Sequence, residues 1–245
     1  MKVLRFVLFL AVFALLVPAS SWAFTPGAGL AGTPHDFSSK GGGVGLCTFC
    51  HTPHKALSTL LLWNHTLSTN TFKWDVPATT AGTLFPTFKG DTYKGPTAKC
   101  LSCHDGSVAV GDIAWWNEGK PATPLDLTKH GSGDNMNVGF GGDMAGNHPV
   151  AMPYPYLAAK NTYNGTTTGS MAELSEWQST PLAPIRIFND DGSGNITAGA
   201  VAAKTGMECS SCHDPHNKAA VDDLFLRGTL KGSTTAYICL KCHIK

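Results

Sequence analysis

Four segments of this chain repeat one five-residue pattern: CTFCH at 47–51, CLSCH at 100–104, CSSCH at 209–213 and CLKCH at 239–243. Together they use all 8 cysteines. Cysteines two residues apart suit disulfides in an exported protein, or zinc. Neither needs a histidine in the next position. With 10 His in 245 residues, four such coincidences have odds of about a few in a million, so the pattern is read as c-type haem attachment. The chemistry accounts for the spacing: two thiols add across the two vinyl groups of one porphyrin, and the next imidazole is held beneath the iron. Cys47, Cys50, Cys100, Cys103, Cys209, Cys212, Cys239 and Cys242 are the expected thioether donors. His51, His104, His213 and His243 are the expected proximal iron ligands of four covalently bound haems.

A haem iron in a pure electron carrier takes a sixth ligand, His or Met. Six further histidines are candidates: His35, His54, His65, His130, His148 and His216. His54 and His216 sit in CHTPH and CHDPH, three residues after a proximal His. Three residues span at most about 10 Å, and Pro53 and Pro215 stiffen the link. Such a His cannot easily wrap to the far face of its own haem, but it can ligate the next one. That would bring two haems into near contact. The alternative is a surface imidazole bonded to a propionate. His148, in GNHPV, precedes a proline and is held extended in a glycine-rich loop, a further distal candidate. His35, in TPHDF, stands near the chain start, where a metal bond is one way to tie down a loose segment. It is a candidate ligand to this chain or to a neighbouring subunit, with an ordinary loop residue as the alternative. His65, beside Trp63, reads as a packed side chain and is a weaker distal alternative; His130 reads as a solvated loop residue. Met136, Met144, Met152, Met171 and Met207 offer thioether ligands that would raise the potentials. With spare His near the motifs, bis-His ligation is the expectation.

The haem motifs form an internal repeat. CTFCHTPHKA, LLLW and AKCLSCH in the first half answer to CSSCHDPHNKA, LFLRG and YICLKCH in the second. The expected organisation is a leader at 1–23, an N-terminal haem pair at 24–118, a Gly/Thr/Asn-rich connecting region at 119–205 and a C-terminal haem pair at 206–245, with 24–245 one compact unit. A helix is expected at 170–178, where Ser170 and Glu173 form a capping box, and a short strand in VAVGDIAWW. Long periodic segments are absent. The fold class is a multihaem cytochrome c: mostly irregular, with a few short helices that carry the motifs and minor β structure. Its core is four haems with Trp63, Trp74, Trp115, Trp116 and Phe rings packed on them. The segment NDDGSGNIT at 189–197 faintly matches a calcium loop, but position twelve is Ala200 where a bidentate Glu belongs; a plain turn is the better reading. Asparagine sequons begin at Asn64, Asn164 and Asn195.

Lys2 and Arg5 precede an apolar run, FVLFLAVFALLV, that Pro18 ends; Ser21 and Ala23 supply the small residues of a cleavage site. This is the pattern of a secretory signal peptide, and the run is short for a bilayer span. Export to the cell surface or the periplasm is expected, with no stable membrane insertion. Cleavage after Ala23 would leave 222 of the 245 residues. The formal charge of +1 over the whole chain offers no basic surplus for nucleic acid. The propionates of four haems would take the mature protein to about −9.

LCTFCHTPHKA with LLLWNHT, CLSCHDGSVAVGD, NHPV, MECSSCHDPHN with LFLRG and a last CLKCH resemble the multihaem c-type family with doubled CXXCH motifs. Their order and spacing are similar to the tetrahaem cytochromes that polymerise into extracellular filaments (the outer-membrane cytochrome E type). The resemblance implies bis-His ligation at all four irons, haems stacked through the subunit, and one axial His donated across a subunit contact, for which His35 is the candidate. It also implies self-association into a conductive nanowire, with other redox proteins or extracellular acceptors as partners. A soluble periplasmic carrier, or the electron-donating subunit of a reductase, has the same ligand set. An enzyme would need one iron with an open position, whereas enough His exists to close all four and no CXXCK variant occurs.

Overall fold

The computed structural model describes residues 24–38, 45–54, 56–57, 60–73, 95–107, 113, 138–154, 174–231 and 236–244. Regular structure is sparse and short. The helices are α1 (Gly45–Thr48), α2 (Pro96–His104) and α3 (Cys209–Cys212), with single 3-10 turns at Leu60–Leu62, Phe140–Gly142, Leu174–Glu176 and Ile238–Lys241. Helices of this length have no stability of their own in water, so each depends on what it touches. All four CXXCH motifs begin or lie within one of these short helices, as expected. α2 starts with Pro96 in its first turn, where the missing N–H costs nothing. In α3 the Glu208 N–H donates to Ser211 Oγ at 2.9 Å, closing a capping box.

Between the second and third motifs lies an antiparallel sheet of four short strands in the order β1-β4-β2-β3: β1 (Met152–Pro153), β2 (Phe188–Asp190), β3 (Ile196–Ala198) and β4 (Thr205–Met207). Phe188 pairs with Ala198 and Gly206, and Met152 with Met207. Within the region expected to connect the two haem pairs, residues 138–154 and 174–205 are described and carry these strands, and the sheet has a purpose in the packing. Phe188 and Ile196 pack with Ala98 of α2 and with Ala151, while Ile187 and Met207 pack with Tyr154 and Cys242. The sheet is thus a wedge between the second and fourth motifs. The β2–β3 turn is the segment that faintly matched a calcium loop. Here Asp191 accepts from the backbone N–H groups of Ser193 (2.7 Å) and Asn195 (3.2 Å), and Gly192 and Gly194 take φ of 84° and 83°. That is the self-bonded geometry of an Asx turn.

Two further expectations meet the structure unevenly. Residues 174–176 of the expected helix form only a 3-10 turn, because Trp177 leaves it to pair with His243; residues 170–173, with the expected capping box, lie outside the described residues. Of VAVGDIAWW only Ile113 is described, buried and bridged to His65. The leader 1–23, Trp74, Trp115, Trp116, His130, Met136 and Met171 also lie outside the described residues.

Two polar clamps hold the halves together. Thr97 of α2 donates its backbone N–H (2.9 Å) and its hydroxyl (2.5 Å) to the carboxylate of buried Glu208. Its hydroxyl oxygen also accepts from Cys209 N–H at 3.0 Å. This joins α2 to α3. The second clamp is Asn217, buried at a left-handed φ of 53°. Its Nδ2 donates to Thr25 O (2.8 Å) and Gly29 O (2.9 Å), and its Oδ1 accepts from Gly27 N–H (2.9 Å). Residues 24–29 are so bound to the loop after the third motif, helped by Phe24 stacked on Phe225 at 4.5 Å.

Candidate functional site

Each motif closes the same local turn. His51, His213 and His243 donate their backbone N–H to the first cysteine carbonyl, Cys47, Cys209 and Cys239, all at 2.9 Å. The two cysteines and the His therefore face one side of a single tight turn. All eight cysteines are free. Burial pushes the Cys50 thiol up to about 12, helped by the neighbouring thiols of Cys103 and Cys47. Burial also pushes Cys103 and Cys212 up to about 11 and Cys242 to about 12. Sulfur held this way is costly as a thiolate, whereas a thioether carries no charge.

The motifs are neighbours in chain order. Cys103 lies close enough to Cys50 to push its thiol pKa up, Cys209 shares a thiol hydrogen bond with Cys100, and Cys239 pushes Cys212 up as Cys103 does Cys50. These contacts link the first motif to the second, the second to the third and the third to the fourth.

Two proximal imidazoles are set by a strap of backbone about ten residues downstream. His51 Nδ1 meets Leu61 O at 2.5 Å, and His213 Nδ1 meets Leu224 O at 2.7 Å. A carbonyl can only accept, so Nδ1 carries the proton in both rings. Burial lowers the pKa of both imidazoles; His216 and Lys99 push His51 further down, and Arg227 does so for His213. The neutral ring then presents a bare Nε2. A metal-ligating His has this arrangement, with its second nitrogen donating to a backbone carbonyl. Both straps reach it through left-handed residues, Leu61 (φ 62°), Leu62 (50°), Leu224 (58°) and Phe225 (60°). Each such non-glycine residue costs about 1–2 kcal/mol, strain of the kind found at functional sites.

Imidazoles come together in pairs. His51 and His216 lie with ring centroids 6.1 Å apart and planes 27° apart. His35 and His104 are 6.0 Å apart. A metal–imidazole bond is about 2 Å and the centroid lies roughly 1 Å behind the nitrogen, so two axial imidazoles on one metal have centroids about 6 Å apart. His35 Nδ1 donates to Pro215 O at 3.3 Å, and its ring stacks on Phe225 at 4.7 Å. The residues fit a haem. Exposed large apolar side chains also gather next to the motifs: Leu46, Leu61, Leu62, Leu224 and Ile244, surface of the kind a porphyrin face would cover.

The other candidates are placed less tellingly. His54 is exposed, its N–H 3.4 Å from Thr52 Oγ1. His148 is exposed on its loop, its Nδ1 3.0 Å from Pro149 O. His65 is fully buried between Phe49 (4.8 Å) and Trp63 (5.6 Å). Met144 and Met207 are buried in the core. His243 lies against Trp177, with ring centroids 4.2 Å apart.

Sequence reasoning missed three residues here. Asn217 ties the segment carrying His35 to the loop carrying His216. Arg227, 1% exposed, reaches Asp214 at 3.5 Å behind His213. Trp177 sits on the fourth motif from the middle region. A signal existed for the last: WN at 63–64 recurs as WQ at 177–178.

Among the described residues no helix is long and apolar enough to cross a membrane. No curated protein matches the chain. Residues 201–245, which contain the third and fourth motifs, match the family model of the doubled CXXCH motif, so the chain carries the covalent haem-attachment signature of a multihaem c-type cytochrome with an electron-transfer role.

Proposed function

We propose that the chain is an exported tetrahaem cytochrome with bis-His irons that passes electrons along a row of haems and assembles into an extracellular filament. The observation that carries the electron-transfer reading is the pairing of His51 with His216 and of His35 with His104 at the separation two axial ligands need. The bound haem supplies reversible one-electron iron chemistry. The chain's own residues do the rest. Eight cysteine sulfurs fix four porphyrins, and His51, His104, His213 and His243 hold the proximal faces. His216 and His35 close the distal faces opposite His51 and His104. The ligands opposite His213 and His243 come from among His54, His65 and His148. With both faces closed, small molecules are kept from the irons. The order of attachment points supports a path from the first motif to the fourth.

In this reading His35 serves the second haem of its own chain, so a contact between subunits would use another residue. About 55 residues per haem is more protein than a small shuttle needs, and the surplus supports subunit contacts. Partners are further copies and extracellular redox acceptors; the location is the cell surface, with a soluble periplasmic carrier as the second form of the same activity.

Intact mass of the natural protein tests the core of this reading: four covalent haems are expected, and fewer overturn it. Carbon monoxide should leave the reduced spectrum unchanged; ready binding means an open iron. Negative-stain images of secreted protein should show filaments, and uniform monomers would reduce the function to a soluble carrier.

A further inference from the structure

Residues 60–64 and 223–227 are equivalent straps. In the first, His51 bridges Trp63, Asn64 N–H donates to Cys50 O at 2.9 Å, and Thr52 N–H donates to Leu62 O at 2.8 Å. In the second, His213 bridges Leu226, Arg227 N–H donates to Cys212 O at 2.8 Å, and Asp214 N–H donates to Phe225 O at 2.7 Å. Residues 174–178, from the middle of the chain, repeat this pattern on the fourth motif. His243 bridges Trp177, Gln178 N–H donates to Cys242 O at 2.8 Å, and Ile244 N–H donates to Glu176 O at 2.7 Å. The first and third cases are each preceded by a 3-10 turn, Leu60–Leu62 and Leu174–Glu176.

The third strap differs in two ways. Its residues 174–178 are absent from the positive-φ positions, whereas Leu61 and Leu62 of the first strap and Leu224 and Phe225 of the second are left-handed. It also brings an indole closer to the proximal imidazole: Trp177 lies 4.2 Å from His243 with planes 47° apart, against 5.6 Å and 76° for Trp63 and His51. Trp177 is itself held. Tyr154 stands edge-on to it at 5.5 Å and donates its hydroxyl to Gln178 O at 2.7 Å. Tyr154 is fully buried in the cluster with Ile187, Met207 and Cys242.

We infer that residues 174–178 are the strap of the fourth haem and that Trp177 is the positioning residue that sets the plane of the His243 imidazole. This rests on the haem reading of the four motifs. The plane of an axial imidazole and the groups packed on it are levers on a haem's electronic structure and potential. A strap brought from the middle of the chain gives the fourth motif a setting of its own.

Trp177→Leu, which installs the side chain the second strap already uses at Leu226, tests this in the holoprotein. The expected result is four covalent haems by mass, one low-spin ferric signal with altered g values, one shifted potential in a redox titration, and three of each unchanged. Trp177→Phe should restore most of the wild-type signal. All four potentials unchanged, or all four displaced together, would overturn the assignment. A wild-type count below four haems would instead strike at the haem reading itself. Should Trp177→Leu fail to accumulate, reduced wild-type protein with labelled tryptophan decides the matter. A nuclear Overhauser contact between Trp177 and the axial imidazole of one haem is expected, and its absence rejects the strap.

Discussion

His216 lies 6.1 Å from His51 across 165 residues of sequence, with the two rings inclined by 27°. One belongs to the third motif's CHDPH and the other to the first CXXCH, so a single iron would join the two halves of the chain. Its geometry explains why Pro215 is useful: the stiff link carries His216 away from the haem it follows and toward the one attached at Cys47 and Cys50.

Replacing His216 with Ala should open one iron of the four. Carbon monoxide should then bind about a quarter of the reduced haem, where the wild type binds essentially none. His35→Ala should open a different iron, and the double variant two. No gain of binding in either single variant removes the pairings.

Asn217→Ala should release the N-terminal segment. The variant loses the hydrogen bonds to Thr25, Gly27 and Gly29, each worth about 1 kcal/mol, and leaves alanine in a left-handed conformation costing about 1–2 kcal/mol. Limited proteolysis within 24–38 should quicken, and His35 should dissociate from its iron. Asn217→Gly should keep the backbone and lose only the hydrogen bonds.

Asp214→Ala should be strongly destabilising. Burial alone would raise the Asp214 pKa, but the Ala219 N–H and the Arg227 guanidinium outweigh it and hold the carboxyl below its usual range. Removing it leaves the Arg227 charge, at 1% exposure, without its carboxylate and with Ser210 O at 3.3 Å; breaking a buried pair in this way costs about 3–5 kcal/mol. Thermal unfolding should shift down sharply, and the Asp214→Ala/Arg227→Leu pair should recover part of the loss.

A chain with all eight cysteines changed to Ser should not fold. The described apolar clusters are small, four buried residues each, and the motif helix α3 is four residues long. Far-UV circular dichroism should show a largely unstructured chain, and proteases should digest it quickly. A folded apoprotein would mean the core does not depend on haem.

The chemistry was legible in the primary structure because covalent haem attachment is local. Two thiols and an imidazole must sit within five residues, so no tertiary information is needed to recognise CTFCH or CLSCH. The brevity of the helices followed for the same reason: no long apolar period was present to support more. The distal candidates could be named from the sequence but not matched to a partner, because what packs on the far face comes from whichever segment the fold brings there. His35 reaches His104 with the help of Asn217, Pro215 O and the Phe225 stack, and none of these contacts leaves a periodic trace. The strands of the middle region had the weakest signal. Its Gly, Thr and Asn content reads as loop, yet sheet pairing between strands two and three residues long depends on partners such as Met207 rather than on local pattern. Trp177 shows the boundary most clearly. Sequence alone places it in a helix of the connecting region; the fold spends it on His243, 66 positions away, where the backbone of Glu176 and Gln178 pairs with that of Ile244 and Cys242.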